Sequence, residues 1–283
     1  MDAAAELKAR VRRFWDSEPC GTRNSEDAAG SAAFFRSVEA HRYAQEFHIP
    51  LVAEFTEHAG HRVLEIGGGL GTDGRQFARN GAHYVDLDLS RQSLEMARRG
   101  FAVEQLSGRF LNGDAEHQPF RSETFDVVYS HGVLHHTPDT EQTIREVHRL
   151  LKPGGKAIIM LYARESIGYA ASHVLGRARL LALRRKMGRQ AFNAFIGLPA
   201  DYNGWMPKQA VINNSTDGLG NPLSKFYTAG ELRQIFGRFS AIELQKHYVP
   251  RHKIPIIGPR LPRGIALWLG RVAGSFWYIK AVK

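Results

Sequence analysis

A chain of 283 residues, 43% hydrophobic and 23% charged, can bury a substantial core without disulfide or metal staples. Its one cysteine, Cys20, excludes an internal disulfide and a thiolate metal cluster, so a reducing, cytoplasmic setting is expected. The net charge of +10 is unevenly spread: residues 1–165 carry 20 Lys/Arg against 24 Asp/Glu, whereas residues 166–283 carry 18 against 4. Such a basic half implies an anionic partner.

The amino-terminal stretch sets Glu6, Lys8, Arg10, Arg12 and Arg13 among short apolar steps and lacks the apolar run of a signal peptide. No later stretch reaches the ~18 apolar residues that a membrane span needs. A soluble or at most peripheral protein is expected. Residues 11–60 look helical in pieces, with Pro19-Cys20-Gly21 and Gly30 as breaks. They are placed as a helical lid, residues 1–60, in which Trp15 and Tyr43 could close over a ligand.

Residues 61–165 alternate β-rich runs with helical stretches, the pattern of a parallel sheet flanked by helices. Strands are predicted at 62–66, 83–87, 109–111, 125–130 and 157–162, and helices at 73–80, 91–100 and 140–151. Lys152-Pro153-Gly154-Gly155 should stop the chain before the fifth strand. Residues 166–227 form a basic, aromatic insert, helical over 167–197 and turn-rich over 199–222. Residues 228–283 close the core, beginning with the capping box Thr228-Ala-Gly-Glu231 and ending in strands at 241–248 and 275–282. The expected fold is α/β: a Rossmann-like, seven-stranded, mostly parallel sheet with helices on both faces.

The first strand runs into Glu65-Ile-Gly67-Gly68-Gly69-Leu-Gly71, a glycine loop that opens a helix. Without side chains, the backbone there can approach a ligand closely. Thr72 stands where a dinucleotide fingerprint needs its third glycine, so the loop suits a nucleoside with an amino-acid tail better than a pyrophosphate. Seventeen residues after Gly71, Asp88 ends the second strand, where a carboxylate can accept both ribose hydroxyls of an adenosine. Asp86 competes for that role from the same strand face. Asp114, followed by Ala115, stands after the third strand and can receive an adenine amino group.

Taken together, Glu65–Asp73, Asp88–Ser90, Gly113–Phe120, Phe125–Asp139 and Leu150–Tyr162 resemble the motifs of class I S-adenosylmethionine-dependent methyltransferases, especially the ubiquinone and menaquinone C-methyltransferases. The resemblance covers roughly a hundred residues and implies S-adenosyl-L-methionine as cofactor. It places Glu65 and Asp73 near the methionine-side amine, Gly67 and Gly69 along the cofactor, Asp88 on the ribose, and Asp114 with Ala115 on the adenine. Ser130, at the end of the fourth strand, joins this cofactor set.

Methyl transfer is an in-line displacement that depends chiefly on positioning, and only some acceptors need a base. His135, in Ser130-His131-Gly132-Val133-Leu134-His135-His136, is one candidate; the alternative is a turn histidine bonded to backbone. No metal site is expected there, because Gly132 breaks the H-E-x-x-H pattern. The pattern of nucleic-acid base methyltransferases is also missing, so nucleic acid is an unlikely partner. Glu165, at the mouth of the fifth strand, is the second candidate base, against a salt bridge to Arg164 or an insert arginine.

In the insert, Arg177, Arg185 and Arg189 could grip phosphate oxygens, and Phe192, Tyr202, Trp205 and Tyr227 could line an apolar pocket with Tyr43. The sharpest expectation is C-methylation of an isoprenoid diphosphate through a carbocation, with Glu165 as base; if the acceptor is a diphosphate, Mg²⁺ could accompany it, held mainly through phosphate oxygens and water because the insert has no paired acids, and isoprenoid-diphosphate C-methyltransferases resemble this layout. O- or N-methylation of an aromatic or amine product, with His135 as base, is the alternative. A third reading makes the chain a nucleic-acid or membrane-surface binder through 254–280, where Trp268, Phe276, Trp277 and Tyr278 lie near Arg260, Arg263 and Arg271.

Overall fold

The computed structural model describes residues 3–17, 19–251 and 260–283. Helices α1 (Ala3–Ser17), α2 (Ala32–Gln45) and α3 (Ile49–Ala53) precede β1 (Arg62–Ile66), α4 (Thr72–Arg79), β2 (His83–Asp88), α5 (Arg91–Val103) and β3 (Arg109–Asn112). The chain continues through β4 (Phe125–His131), α6 (Thr140–Leu150) and β5 (Leu151–Tyr162). Next come α7 (Ile167–Met187), α8 (Arg189–Phe195), α9 (Lys208–Thr216) and α10 (Ala229–Ile235), and then β6 (Ala241–His247), α11 (Arg263–Ala273) and β7 (Phe276–Val282). The seven strands form one sheet in the order β3-β2-β1-β4-β5-β7-β6. β7 runs antiparallel to both of its neighbours, and the other pairings are parallel.

Alternation along the central strands divides the core between the two sheet faces. Leu64, Val128, Ile159 and Leu161 pack with Ile144 and Val147 of α6 and Leu232 of α10. Val63, Val127, Tyr129 and Ile158 pack with Phe77 of α4 and Phe101 of α5. The strand order reverses between β1 and β4, and the loops after their carboxyl ends form the crevice where ligands bind in such sheets.

Two elements differ from expectation. The run Lys152–Gly155 does not stop the chain: β5 begins at Leu151, and the pairing with β4 shifts between Phe125 and Val127 to accommodate it. The turn-rich stretch 199–222 contains a helix, α9, whose Val211 and Ala210 pack against Leu180 and Phe192 in a separate core of the insert. The insert leaves the sheet at Ala163 and returns where Tyr227 bridges to Ala163. The basic and aromatic run 254–280 begins outside the described residues; beyond them, Trp277 and Tyr278 are buried in β7, while Trp268 is exposed on α11.

Candidate active site

The glycine loop bends because three of its residues take positive φ, Gly67 (+77°), Gly69 (+58°) and Gly71 (+68°), a conformation that L side chains resist. Gly67 is also hemmed in: a Cβ there would lie 2.4 Å from Val133 Cγ2, whereas one on Gly69 would meet nothing. The loop therefore turns an open backbone face toward the crevice. Gly68 N–H donates to Asp86 Oδ1 (3.1 Å) and Gly69 N–H to Asp88 Oδ2 (3.1 Å), and Ser90 N–H donates to Asp88 Oδ1 (2.7 Å).

These contacts separate the two competing aspartates. Asp86 is fully buried beneath the loop and braces it; burial and then the Asp88 charge push its carboxyl well above the usual range. Asp88 sits at the strand mouth, its pKa raised by burial to about 6 against the pull of the Ser90 and Gly69 amides. At that value it is mostly ionised at neutral pH, in a form that can accept from a ribose diol.

Glu65, buried on β1, accepts the Tyr84 hydroxyl (2.6 Å), and burial with the nearby Asp73 charge raises its pKa to about 8. Asp73 differs. Arg42 Nε (2.9 Å) and Nη2 (2.6 Å) grip both its oxygens, and the hydroxyls of Tyr43 and Tyr129 donate to it at 2.9 Å each. Burial opposes its ionisation, but the guanidinium prevails and holds it at about 2. Asp73 is thus the anchor that ties α2 to the start of α4, and the hydroxyl of Tyr43 is committed to it rather than turned to an acceptor. Ser130 is likewise structural: it is fully buried and its hydroxyl donates to Ile66 O (2.9 Å) at the base of the glycine loop.

The amino-terminal helix makes more specific contacts than the sequence suggested. Lys8 of α1 pairs with Asp114 (2.5 Å) and Glu116 (2.6 Å) after β3, and the Asp16 charge contributes to the raised pKa of Asp88. Trp15 lies against His136 after β4, with ring centroids 5.3 Å apart. The seven residues from Lys8 to Trp15 span about 10 Å of helix, so α1 runs along the crevice from the expected adenine end toward the mouth of β4. Ala115, beside Asp114, holds the Gln118 side chain through its carbonyl (3.0 Å).

At the mouths of β4 and β5 lies a buried polar cluster. His136 Nδ1 meets Leu223 O at 2.5 Å. A carbonyl can only accept, so Nδ1 carries a proton, and in the neutral ring Nε2 holds the lone pair. That Nε2 lies 3.7 Å from Asp217 Oδ2 and has no hydrogen-bond partner among the described residues. Asp217 accepts the Tyr162 hydroxyl (2.5 Å), the Ser224 hydroxyl (3.1 Å) and the Asn221 amide (3.2 Å). His135 is fully buried against Tyr162, centroids 3.8 Å apart, and burial then the His136 charge hold its pKa well below the ordinary histidine value. Nearby, the Tyr278 hydroxyl sits between His131 Nε2 (2.7 Å) and His48 Nε2 (2.9 Å).

Glu165 does not reach this cluster. The backbone of Ala163 and Arg164 is bonded to Ser275 and Tyr227, and Ser166 caps α7, which turns residue 165 outward. Its side chain is 51% exposed and 4.0 Å from Lys246 of β6, while Arg164 pairs with Glu231. The expected insert pocket is also redistributed. Phe192 is the buried centre of the insert's own core, and Tyr227 belongs to the main core, its hydroxyl on Thr140 Oγ1 (2.9 Å). The Tyr202 hydroxyl donates to Trp205 O (2.7 Å), Arg177 stacks on the Trp205 ring at 4.6 Å, and Arg185 and Arg189 are exposed. Asp114, Glu116 and His117 are the only metal-compatible group among the described residues, and Lys8 neutralises its acids.

Sequence reasoning missed His136, Asp217, Tyr162 and Arg42. The stretch Asn213–Asn221 carried the one available signal, an acid among amide and hydroxyl side chains in an otherwise basic insert.

Comparison with known proteins agrees with this geometry. Residues 64–159 match the family described as Methyltransferase domain. The chain is 36% identical over 121 residues to methyltransferase GfsG of Streptomyces halstedii, spanning 41% of this chain and 44% of that protein. It is 33% identical over 177 residues to the ubiquinone biosynthesis O-methyltransferase of Pseudomonas aeruginosa (strain UCBPP-PA14), covering 60% of this chain and 72% of that one. The chain belongs to the class I S-adenosylmethionine-dependent methyltransferases. Its fold is also that of the magnesium protoporphyrin IX methyltransferase of Synechocystis, with a TM-score of 0.54 at 14% identity over 98% of this chain and 99% of the other. In this methyltransferase the open face at Gly69 and the ionised Asp88 fit S-adenosylmethionine. No helix among the described residues is long and apolar enough to cross a membrane.

Proposed function

We propose that this methyltransferase methylates an oxygen of a small phenol- or enol-type acceptor, with His136 as the base. The cofactor supplies an electrophilic methyl group. The acceptor oxygen forms the new C–O bond while the C–S electron pair stays on sulfur, and the hydroxyl proton passes to His136 Nε2. Asp217 then faces the imidazolium that forms.

The observation that carries this reading is the His136–Asp217–Tyr162 cluster. The Leu223 carbonyl accepts from Nδ1–H, so in the neutral ring the lone pair lies on Nε2, and a carboxylate stands 3.7 Å away to stabilise the charged ring. Positioned bases of this kind contribute about 10²–10⁴-fold. The relatives named for ubiquinone biosynthesis O-methylation support transfer to oxygen.

C-methylation of an isoprenoid diphosphate draws less support. Its base, Glu165, is exposed and paired with Lys246, two of its aromatics are core residues, and the acidic group suited to Mg²⁺ is occupied by Lys8. The single cysteine supports a cytoplasmic site of action.

The test is transfer of labelled methyl from S-adenosylmethionine to a panel of catechols, polyprenylated phenols and prenyl diphosphates. His136→Asn should lower kcat on a phenolic acceptor by about 10²–10⁴-fold and leave S-adenosylhomocysteine affinity unchanged. Undiminished kcat in that variant, or label entering only prenyl diphosphates, would sink the proposal.

A further inference from the structure

The outward face of α7 is apolar where a surface helix is ordinarily polar. Gly176 and Leu180 turn inward, against α9 and the insert core. At 3.6 residues per turn, the opposite arc holds Ile167, Val174, Leu175, Ala178, Leu181 and Ala182, all exposed. Val174 and Leu175 keep 70% and 69% of their surface in water. Beside this arc lies Trp205, 74% exposed, with Arg177 stacked on it. Clustered exposed apolar side chains of this size mark an interaction surface rather than ordinary scatter.

Charge identifies the partner. Arg177, Arg179, Arg184, Arg185, Lys186 and Arg189 line the same helix and its end, and no acid occurs from Ser166 to Ala200. A second stripe continues the theme: Ile265, Trp268 and Val272 are exposed on α11, which also carries Arg263 and Arg271. The first turn of α7 lies beside the residue that follows α11, since a Cβ on Gly168 would fall 2.3 Å from Ser275 Oγ. A protein partner would need an acidic apolar surface shaped to both stripes. An anionic bilayer offers phosphates at headgroup depth and acyl chains below, which is the layering of arginines around an apolar arc with an exposed tryptophan.

We infer that α7, with Trp205 and the outer stripe of α11, docks the enzyme in the plane of an anionic lipid surface. The helix lies in the interface and does not cross it. Because α7 starts five residues after Tyr162, where β5 ends, docking sets the mouth of the acceptor site against the bilayer. This placement does not depend on whether the methyl goes to oxygen or carbon.

The experiment is sedimentation of the full chain with phosphatidylcholine vesicles and with vesicles containing about one third phosphatidylglycerol, at low and high salt. Binding is expected to the anionic vesicles only, weakened by salt, with a blue shift of tryptophan emission that Trp205→Phe diminishes. The double variant Val174→Glu/Leu175→Glu should lose at least about tenfold in partition. Should that variant fold poorly, Arg179→Glu/Lys186→Glu, which alters only exposed charges, should weaken binding while keeping the S-adenosylhomocysteine-induced rise in Tm. Equal sedimentation with both vesicles, or binding unaltered by the charge-reversal variant, would overturn the inference. So would a lipid-independent dimer that the α7 variants dissociate, which would assign the face to a second copy of the chain.

Discussion

The two ends of the crevice are built in different ways. The cofactor end is assembled from short segments that each carry their own residue to its place: a strand ends, a loop turns, and Glu65, Gly67, Gly69 or Asp88 is delivered by that strand alone. The end proposed to take the acceptor is assembled from distant pieces. Trp15 of α1 meets His136 after β4, His136 is held by Leu223, and Tyr162 of β5 is held by Asp217 of the insert. The first kind of site resists change elsewhere in the chain. The second depends on how the lid and the insert return to the sheet.

That contrast yields four predictions. The largest effect concerns the acceptor end: Asp217→Ala removes the partner of His136 and leaves the buried Tyr162 hydroxyl unpaired, so kcat should fall by at least about 10²-fold. Single-turnover transfer and S-adenosylhomocysteine titration together would check this. A parallel loss of cofactor affinity would mean that the two ends are not separable. Next, Asp88→Asn should weaken S-adenosylhomocysteine binding by about 10–100-fold, because charge-assisted hydrogen bonds contribute roughly 1.5–3 kcal/mol. Calorimetric titration measures it, and a change under threefold would reassign the ribose to another residue.

The third prediction is a pH effect. The folded pKa of Glu65, about 8, lies above the ordinary 4.5, so the native state binds the extra proton between those values. Its contribution to stability is therefore greatest at acid pH and declines as pH rises through that window. Glu65→Gln should flatten the dependence of Tm on pH between 5 and 8 by at least about 2 °C. Bound S-adenosylhomocysteine should flatten it too if its ammonium lies beside this carboxylate. Finally, Lys8→Ala should change cofactor affinity less than about fivefold, since its ion pairs are partly exposed; stopped-flow cofactor binding would register the change.

The same contrast explains what the sequence disclosed. Strands β1 to β4 were legible to within a residue because each is a β-rich run bounded by glycine, aspartate or a helix start, and the cofactor acids stand at their ends. Glu165 was misplaced by the same logic: it follows a strand mouth, but hydrogen bonds from Ala163 and Arg164 to Ser275 and Tyr227 turn the chain away from the crevice. Phe192 and Tyr227 have the composition of a pocket and the position of a core, a distinction fixed only by packing. Helix α9 went unseen among prolines, glycines and asparagines because its stability comes from contact with α7, not from its own residues.

The bridge between Ala163 and Tyr227 carries a consequence for how such an enzyme changes. Residues 164–226 depart from and rejoin the molecule at one doorway, a single strand spacing wide. Closing a longer or shorter excursion across that doorway costs little, because the entropy of closure grows only with the logarithm of length. The insert is therefore an exchangeable cassette. The sheet, the glycine loop and the grip on the cofactor stay outside it, while Asp217 and the basic, apolar face of α7 travel within it. Choice of acceptor and choice of surface would be inherited, or lost, together.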